Sequence, residues 1–220
     1  MVRAAMPPQS RYIVVEGPIG VGKTTLARAL CKRFGARGVY EIVEENPFLA
    51  SFYKDRARYA FQTQLFFLLS RFKQQQELFQ PGLFESSMIS DYLFAKDRIF
   101  ASLTLDADEL ALYERVYEHL GPRVARPDLV VYLQARLEVL LARIKKRGRD
   151  FERKLDPDYL AELSRTYSEF FHRWDETPLL VVNTSDVDYV ENEAALDDLC
   201  RAIERCRKGT TYYQPLGTRT

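Results

Sequence analysis

Residues 12–26 read Y-I-V-V-E-G-P-I-G-V-G-K-T-T-L, an apolar strand-like run that breaks into a glycine-rich turn and resumes as a helical pattern. The glycines let successive backbone N–H groups point toward a polyphosphate, and Lys23 adds a positive charge at its terminal phosphates. The Thr24 hydroxyl can ligate Mg²⁺, and the positive end of the dipole of the following helix also attracts phosphate. The stretch therefore predicts a site for ATP or GTP. Its residues are Gly17, Gly20, Val21, Gly22, Lys23, Thr24 and Thr25.

Size and composition predict one domain. The chain has 220 residues, of which 46% are hydrophobic, and this is enough for one substantial core. No stretch resembles a linker between domains. We expect an extension over residues 1–10, a single domain over 11–207 and a polar tail over 208–220 that frays.

Charge and cysteine content restrict the class of partner. The formal net charge is +1, so no general basic surface for nucleic acid is expected. The first residues contain no apolar leader segment, and no run is long enough to span a bilayer. Three cysteines without paired spacing predict neither a disulfide framework nor a zinc site. We expect a soluble, cytoplasmic protein that acts on small molecules and not on membranes.

Strand-like runs alternate with helical patterns along the chain. The runs cover residues 12–16, 39–43, 87–90, 129–133 and 179–182. Helical patterns cover about 23–34, 57–79, 107–120, 137–147, 157–174 and 193–207, several of them ended by glycine or opened by an Asp-Pro cap. Alternation of this kind predicts an α/β fold with a five-stranded parallel sheet and helices on both faces.

A basic cluster follows the fourth predicted strand. Arg143 and Arg147 are four residues apart and share a helix face, and Arg149 follows a glycine. Arginines over a phosphate-binding loop stabilise the charge of a phosphoryl group in transit. We expect an arginine lid over about residues 143–155, with a solvated basic helix end as the alternative. The guanine-reading pattern N-K-x-D is absent, which argues against a regulatory GTPase.

Carboxylates near the ends of two strands provide the candidates for acceptor chemistry. Glu41 lies in the second predicted strand run, where a carboxylate can take the proton of an attacking hydroxyl. Glu44 and Glu45 are competing candidates for that base. Asp91 follows the third strand and can hold Mg²⁺ through water, and it can also cap the next helix.

Gln64 and Arg71 lie seven residues apart on the long predicted helix, hence on nearly the same face, among several phenylalanines. An amide and a guanidinium in aromatic surroundings can bind the hydrogen-bonding edge of a planar base. The alternative is an amphipathic helix with ordinary polar positions.

Five motifs together resemble the deoxynucleoside kinase family, especially its bacterial deoxyadenosine and deoxyguanosine kinase branch. They are G-P-I-G-V-G-K-T-T, E-I-V-E-E-N-P-F-L-A-S-F-Y, the Q-x6-R of Gln64 and Arg71, S-D-Y-L-F-A-K-D-R-I-F-A, and R-I-K-K-R-G-R-D-F-E. The resemblance covers residues 12–182 and implies a P-loop kinase fold. It also implies ATP-dependent phosphorylation of a deoxynucleoside 5′-hydroxyl, giving the monophosphate and ADP in nucleotide salvage. Mg²⁺ with ATP and a homodimer are expected as well.

The resemblance also implies roles for individual side chains. Glu41 would be the base, and Asp91 with Thr24 would be on the magnesium side. Gln64 would bind the edge of the base, with Arg71 and Asp97 as a pair beside it. The remaining implied residues are Tyr53 and Glu152 at the sugar 3′-hydroxyl, Phe100 near the base, and Arg143, Arg147 and Arg149 in the lid.

Two departures from the family pattern stand out. Glu41-Ile42-Val43 replaces the usual Glu-Pro-Val, and Tyr92 stands where an arginine is common. We expect a lid arginine to substitute for that missing arginine. A trio of Gln, Arg and Asp suits a purine, but the resemblance also includes relatives with the same trio that take cytidine. The stretches E-E-N-P-F-L and S-D-Y resemble the bacterial purine branch and favour a purine, without distinguishing adenine from guanine.

Two other functions are compatible with the phosphate-binding loop. A nucleoside monophosphate kinase resembling thymidylate kinase would share the loop, fold and lid, but it would need an arginine to bind the acceptor phosphate, where this chain has Tyr92. A non-catalytic nucleotide-binding subunit would need only the loop. The presence of a candidate base together with a lid argues against it.

Overall fold

The computed structural model describes residues 11–78, 87–152, 155–189 and 191–214. Six parallel strands form one sheet in the order β2-β3-β1-β4-β5-β6. The strands are β1 (Tyr12–Glu16), β2 (Arg37–Val39), β3 (Met88–Ser90), β4 (Leu129–Gln134), β5 (Leu179–Asn183) and β6 (Thr210–Tyr213).

Eight helices lie between the strands of the described chain. They are α1 (Lys23–Phe34), α2 (Leu49–Phe52), α3 (Arg56–Leu78), α4 (Lys96–Thr104), α5 (Ala107–Leu120), α6 (Leu137–Arg147), α7 (Pro157–His172) and α8 (Glu193–Arg205). Short 3₁₀ turns occur at Val43–Glu45, Gly121–Arg123 and Asp150–Glu152. None of the described helices combines the length and apolar character needed to cross a membrane.

The predicted α/β fold with a parallel sheet is confirmed, with six strands in place of five. Helix ends agree best where a cap is encoded. Gly35 and Gly148 end α1 and α6 in the left-handed conformation, at φ 63° and 72°. Asp106 opens α5 with a full capping box, and Asp156 caps α7 before Pro157.

Two strand predictions need correction. The second strand covers Arg37–Val39 and not 39–43, because the Glu41 N–H donates to the Asp91 carboxylate (2.8 Å) and leaves the sheet ladder. In the tail that was expected to fray, Thr210–Tyr213 forms β6 at the sheet edge and pairs with β5. Residues 215–220 lie outside the described part, as does the predicted extension 1–10.

The strand order places the active region. β1 is central and pairs with β3 on one side and β4 on the other, so chain connections leave it in opposite directions. A crevice opens beyond the carboxyl ends of parallel strands at such a switch point. The main core is formed by the buried strands with α1, α6 and α7, and two smaller clusters hold α2, α3, α4 and α5 together beside the crevice.

Candidate active site

The loop after β1 packs so closely that two of its positions require glycine. A Cβ on Gly17 would approach the carbonyl oxygen of Leu133 to 2.4 Å, and one on Gly20 would approach the Leu140 carbonyl oxygen to 2.8 Å. Both residues also have positive φ, at 153° and 85°. The loop is therefore fixed against β4 and α6, which sets the direction of its N–H groups.

Lys23 folds back over the loop. Its Nζ donates to the carbonyl oxygens of Gly17 at 2.6 Å and Pro18 at 3.2 Å. Burial lowers the pKa of Lys23 to about 8, against the opposing effect of the Glu16 carboxylate. These carbonyl contacts are ones that a bound phosphate can replace, so the ammonium is available to a nucleotide.

Glu16, the last residue of β1, is fully buried and organises the centre of the crevice. Its carboxylate accepts hydrogen bonds from the N–H groups of Gly17 (2.8 Å) and Leu93 (2.7 Å) and from the Tyr167 hydroxyl (3.2 Å). It also lies 4.0 Å from Lys23 Nζ and 3.9 Å from Lys96 Nζ. One carboxylate thus links two ammonium groups to the phosphate-binding loop.

Thr24 and Asp91 meet across the crevice. The Thr24 hydroxyl donates to the Asp91 carboxylate, whose second oxygen accepts the N–H of Glu41. The helix-cap alternative for Asp91 is wrong, because α4 begins at Lys96 and Ala95 occupies its cap position. Asp91 instead joins the start of α1 to the segment that carries Glu41.

Glu41 lies between two cations. Arg71 Nε donates to its Oε1 at 2.8 Å, and Lys96 Nζ donates to its Oε2 at 2.7 Å. Although burial opposes ionisation, the Arg71 and Lys96 charges and their hydrogen bonds hold the pKa of Glu41 well below its usual range. Glu41 is 13% exposed at its side chain, whereas Glu44 is 54% exposed and contacts Arg149. Of the competing carboxylates, Glu41 is the one buried in the crevice.

Arg71 connects Glu41 to Asp97. Its guanidinium forms an ion pair with Asp97, which is 1% exposed, and lies 4.7 Å from the centre of the Phe67 ring. Gln64 is also buried, and it donates to the Thr104 hydroxyl at 3.2 Å. Gln64 and Arg71 therefore line the same cavity, and Asp97 is linked to it through its ion pair with Arg71.

Aromatic residues close the outer side of this cavity. Tyr53 stacks on Phe151 with ring centres 5.8 Å apart, and burial raises the pKa of Tyr53. Phe100 lines the cavity and meets Tyr167 edge to face. Tyr159 is 6% exposed, and within the described chain its hydroxyl has no hydrogen-bond partner.

The three lid arginines have different surroundings. Arg147 donates to Glu152 at 2.6 and 3.1 Å, and Arg149 contacts Glu44 at 2.7 Å. Arg143 instead donates to the Val21 carbonyl oxygen (3.1 Å) and to Thr184. Arg143 thus links α6 to the phosphate-binding loop, and all three arginines line the groove along that loop. Their role as a lid stays a prediction. Residues 153–154 of the expected lid lie outside the described chain.

Two cavities meet at this centre. The smaller and more enclosed cavity, of about 120 Å³, is lined by Glu41, Gln64, Arg71 and the aromatic residues. A more open groove of about 600 Å³ runs along the phosphate-binding loop, α6 and the segment 184–189, and Thr25, Arg28 and Lys146 also line it. Four residues line both cavities, and all four are hydrogen-bond donors: Lys23, Thr24, Arg147 and Arg149.

Several contributors were not predicted from the sequence. They are Glu16, Lys96, Phe151 and Tyr159. Lys96 lies within the quoted motif S-D-Y-L-F-A-K-D-R, but a single lysine in the first turn of a helix carries no signal of burial. A lid arginine was expected to replace the arginine that is missing at Tyr92, and the cation found next to Glu41 on this segment is the ammonium of Lys96. Tyr92 itself is buried, and its hydroxyl accepts a hydrogen bond from Gln75.

The groove along the phosphate-binding loop shares four hydrogen-bond donors with a second cavity, and that cavity contains a buried carboxylate. This arrangement is that of a P-loop phosphotransferase. The family model described as deoxynucleoside kinase matches residues 13–207, and the chain belongs to that family.

Relatives and solved structures agree with this assignment. The chain is 40% identical to a deoxyguanosine kinase of Bacillus subtilis (strain 168), covering 88% of this chain and 96% of the relative. It is 32% identical to a deoxyadenosine/deoxycytidine kinase of the same organism, over 89% and 93% of the two chains. A solved deoxyadenosine kinase from M. mycoides with bound dATP superposes with a TM-score of 0.76 at 26% identity, covering 88% of this chain and 99% of that one. The chain is thus similar to bacterial kinases named for deoxyguanosine or deoxyadenosine, one of which is also named for deoxycytidine.

Proposed function

We propose that the protein transfers the γ-phosphate of ATP to the 5′-hydroxyl of a purine deoxynucleoside, giving the 5′-monophosphate and ADP. The observation that carries this proposal is the junction of the two cavities at Lys23, Thr24, Arg147 and Arg149. ATP occupies the open groove with its phosphates on the loop, and the nucleoside occupies the enclosed cavity. Residues 11–207 would act as the single catalytic domain.

Glu41 acts as the base. The 5′-oxygen attacks the γ-phosphorus, the bond from that phosphorus to the bridging oxygen breaks, and the hydroxyl proton passes to Glu41. Arg71 and Lys96 keep the Glu41 carboxylate ionised and fix its orientation, and they also make it a weaker base. A weak base suits a loose transition state, in which the demand for proton removal comes late. Arg147 and Arg149 exchange Glu152 and Glu44 for phosphate oxygens as the lid engages.

The residues between the cavities fit Mg²⁺. Thr24 offers a hydroxyl and Asp91 a carboxylate, which are hard oxygen ligands, and the two side chains are already in contact. In the described chain, no group of three or more His, Cys, Asp or Glu side chains is clustered for a metal. Magnesium in nucleotide sites is commonly held by one or two protein oxygens together with phosphates. The ion would neutralise phosphate charge there.

The polar side chains Gln64 and Arg71 support a purine as the base. Gln64 offers both a donor and an acceptor, and Arg71, held by Asp97, presents donors to ring acceptors. Phe67, Phe100 and Phe151 line the same cavity and provide apolar contacts for a planar ring system. Tyr53, Tyr159 and Glu152 lie near the lid, where a sugar hydroxyl would be bound.

Purified protein with Mg-ATP and each of the four deoxynucleosides tests the proposal, with monophosphate and ADP measured separately. We expect deoxyguanosine or deoxyadenosine to have the highest kcat/KM, with one ADP formed for each monophosphate. Deoxythymidine monophosphate serves as a fifth acceptor. Conversion of that compound to its diphosphate, with no reaction of any nucleoside, would establish a monophosphate kinase instead.

We also propose a homodimer formed through α3 and α5. These helices pack against each other, and they expose Leu69 (47%) and Leu112 (51%). Light scattering on the wild type and on L69E/L112E checks this proposal. We expect twice the mass of one chain for the wild type and a lower mass for the variant, and a monomeric wild type would contradict it.

A further inference from the structure

Lys96 is a charged side chain in an unusual place. It is the first residue of α4, only 2% exposed, and its ammonium lies in the enclosed cavity that contains Glu41. A lysine this buried is destabilising unless carboxylates compensate its charge. Two do so, since Nζ donates to Glu41 at 2.7 Å and lies 3.9 Å from Glu16. Lys96 is therefore part of a buried network of ion pairs with Glu41 and Glu16.

Its placement relates it to Lys23. Both ammonium groups lie within 4.0 Å of the same Glu16 carboxylate, one on each of its oxygens, and both line the enclosed cavity. Lys23 belongs to the phosphate-binding loop on the ATP side, whereas Lys96 contacts the carboxylate on the nucleoside side. Glu16 therefore connects an ammonium group on the ATP side, Lys23, with one on the nucleoside side, Lys96.

Lys96 also retains donors for a ligand. An ammonium has three N–H donors, and among the described residues Glu41 is the one hydrogen-bond acceptor of Lys96 Nζ. The Tyr92 ring lies 6.0 Å from Nζ and offers its face on another side. A phosphoryl group that reaches the 5′-oxygen beside Glu41 arrives within the range of this ammonium.

We propose that Lys96 is a catalytic residue that binds the transferred phosphoryl group on the acceptor side, as Lys23 does on the donor side. This inference rests on the proposed function. As the 5′-oxygen bonds to the γ-phosphorus, the bridging P–O bond breaks and ADP keeps its electron pair. The hydroxyl proton passes to Glu41, which loses its negative charge, and the ammonium turns to the incoming phosphoryl oxygens. Lys96 keeps all three protons throughout.

Three variants distinguish this role from the alternative that Lys96 only holds the Glu41 carboxylate in place. K96M removes the charge and the donors, K96Q keeps a donor for Glu41 without the charge, and K96R keeps the charge. We expect kcat to fall about 10²-fold in K96M and K96Q, with partial recovery in K96R, since one lost transition-state donor typically costs this much. R98M alters the same helix at an exposed side chain that pairs with Glu114, and should retain wild-type kcat.

Binding measurements provide the second readout. Calorimetry should show nucleoside affinity changed less than about threefold in K96Q, and affinity for the deoxynucleoside monophosphate lowered about tenfold, as expected when a charged contact of about 1.4 kcal/mol is lost. Equal losses for both ligands, or a kcat in K96Q near that of the wild type, would overturn the proposal. If K96M does not fold, K96Q gives the same decision. A wild type that phosphorylates no nucleoside contradicts the proposed function itself, whereas an active wild type with active K96Q contradicts only the role of Lys96.

Discussion

The ATP-side groove and the nucleoside-side cavity are built in different ways. The groove is based on the loop between β1 and α1, where backbone N–H groups, glycine geometry and Lys23 follow one another within a few residues. The nucleoside cavity has contributions from α2, α3, α4, α7 and the turn after α6, and its polar groups are side chains. The phosphate-binding part of the groove is therefore local in sequence, although α6 and the segment 184–189 complete the groove, whereas every part of the nucleoside cavity depends on tertiary packing.

The electrostatics differ as well. On the ATP side, Lys23 contacts carbonyl oxygens of its own loop that a phosphate can replace. On the nucleoside side, Glu41, Arg71, Lys96 and Asp97 form a buried chain of alternating charge. A change in a buried ion pair leaves its partner uncompensated, so substitutions there act on more than one residue. We expect substitutions on the ATP side to abolish turnover. On the nucleoside side, we expect some substitutions to lower kcat and others to change the preference among bases.

The largest expected effect is on the ATP side. K23A removes the charge nearest the β- and γ-phosphates. We expect kcat/KM to fall by about 10³-fold or more, because losing a charged donor costs more than losing a single neutral hydrogen-bond donor. The hydrogen bonds and ion pair of this side chain go to the loop and Glu16, and it does not belong to the apolar core, so the melting temperature should change little. K146A, at a lysine that also lines the groove, is the matched control. Near-normal turnover in K23A would mean that the groove is not the donor site.

The same contrast explains what could be predicted from the sequence. The loop, α1, α5 and α6 were predicted within a residue because glycine caps, a capping box and the loop motif are encoded locally. The end of β2 was misplaced because a side chain 50 residues away, Asp91, takes the N–H of Glu41. β6 was missed because T-T-Y-Y is short and stands among polar tail residues. Lys96 looks like any surface lysine until α4 packs it against Glu16 and Glu41.

A second prediction concerns the base. E41Q keeps the shape and a hydrogen-bond acceptor but cannot take a proton, so we expect kcat to fall by about 10² or more while nucleoside affinity changes much less. Single-turnover kinetics with deoxyguanosine and deoxyadenosine measure this split. E44Q is the matched control, because Glu44 is 54% exposed and contacts Arg149 at the surface. If E44Q or E45Q shows the loss and E41Q does not, the base has been assigned to the wrong carboxylate.

The smallest expected effect concerns choice of base, and it depends on Asp97. This carboxylate is 1% exposed and pairs with Arg71, which forms a second ion pair with Glu41. D97N keeps the side-chain volume, whereas D97A would leave a hole beside a buried guanidinium. With Asp97 neutral, Arg71 is held from one side only and can turn toward acceptors on a pyrimidine. The site then loses the mismatch penalty that rejects thymidine.

Competition among the four deoxynucleosides measures this loss. We expect the purine-to-thymidine ratio of kcat/KM to fall by about tenfold in D97N, because unpaired polar groups in a binding site cost 1–3 kcal/mol. The kcat with the best purine should change less than that ratio, since Asp97 does not contact the reacting atoms. E114Q breaks an ion pair on the exposed side of α4 and should leave the ratio unchanged. An unaltered ranking in D97N would show that Asp97 does not hold Arg71 for base selection, and a wild type that prefers thymidine would contradict the purine assignment itself.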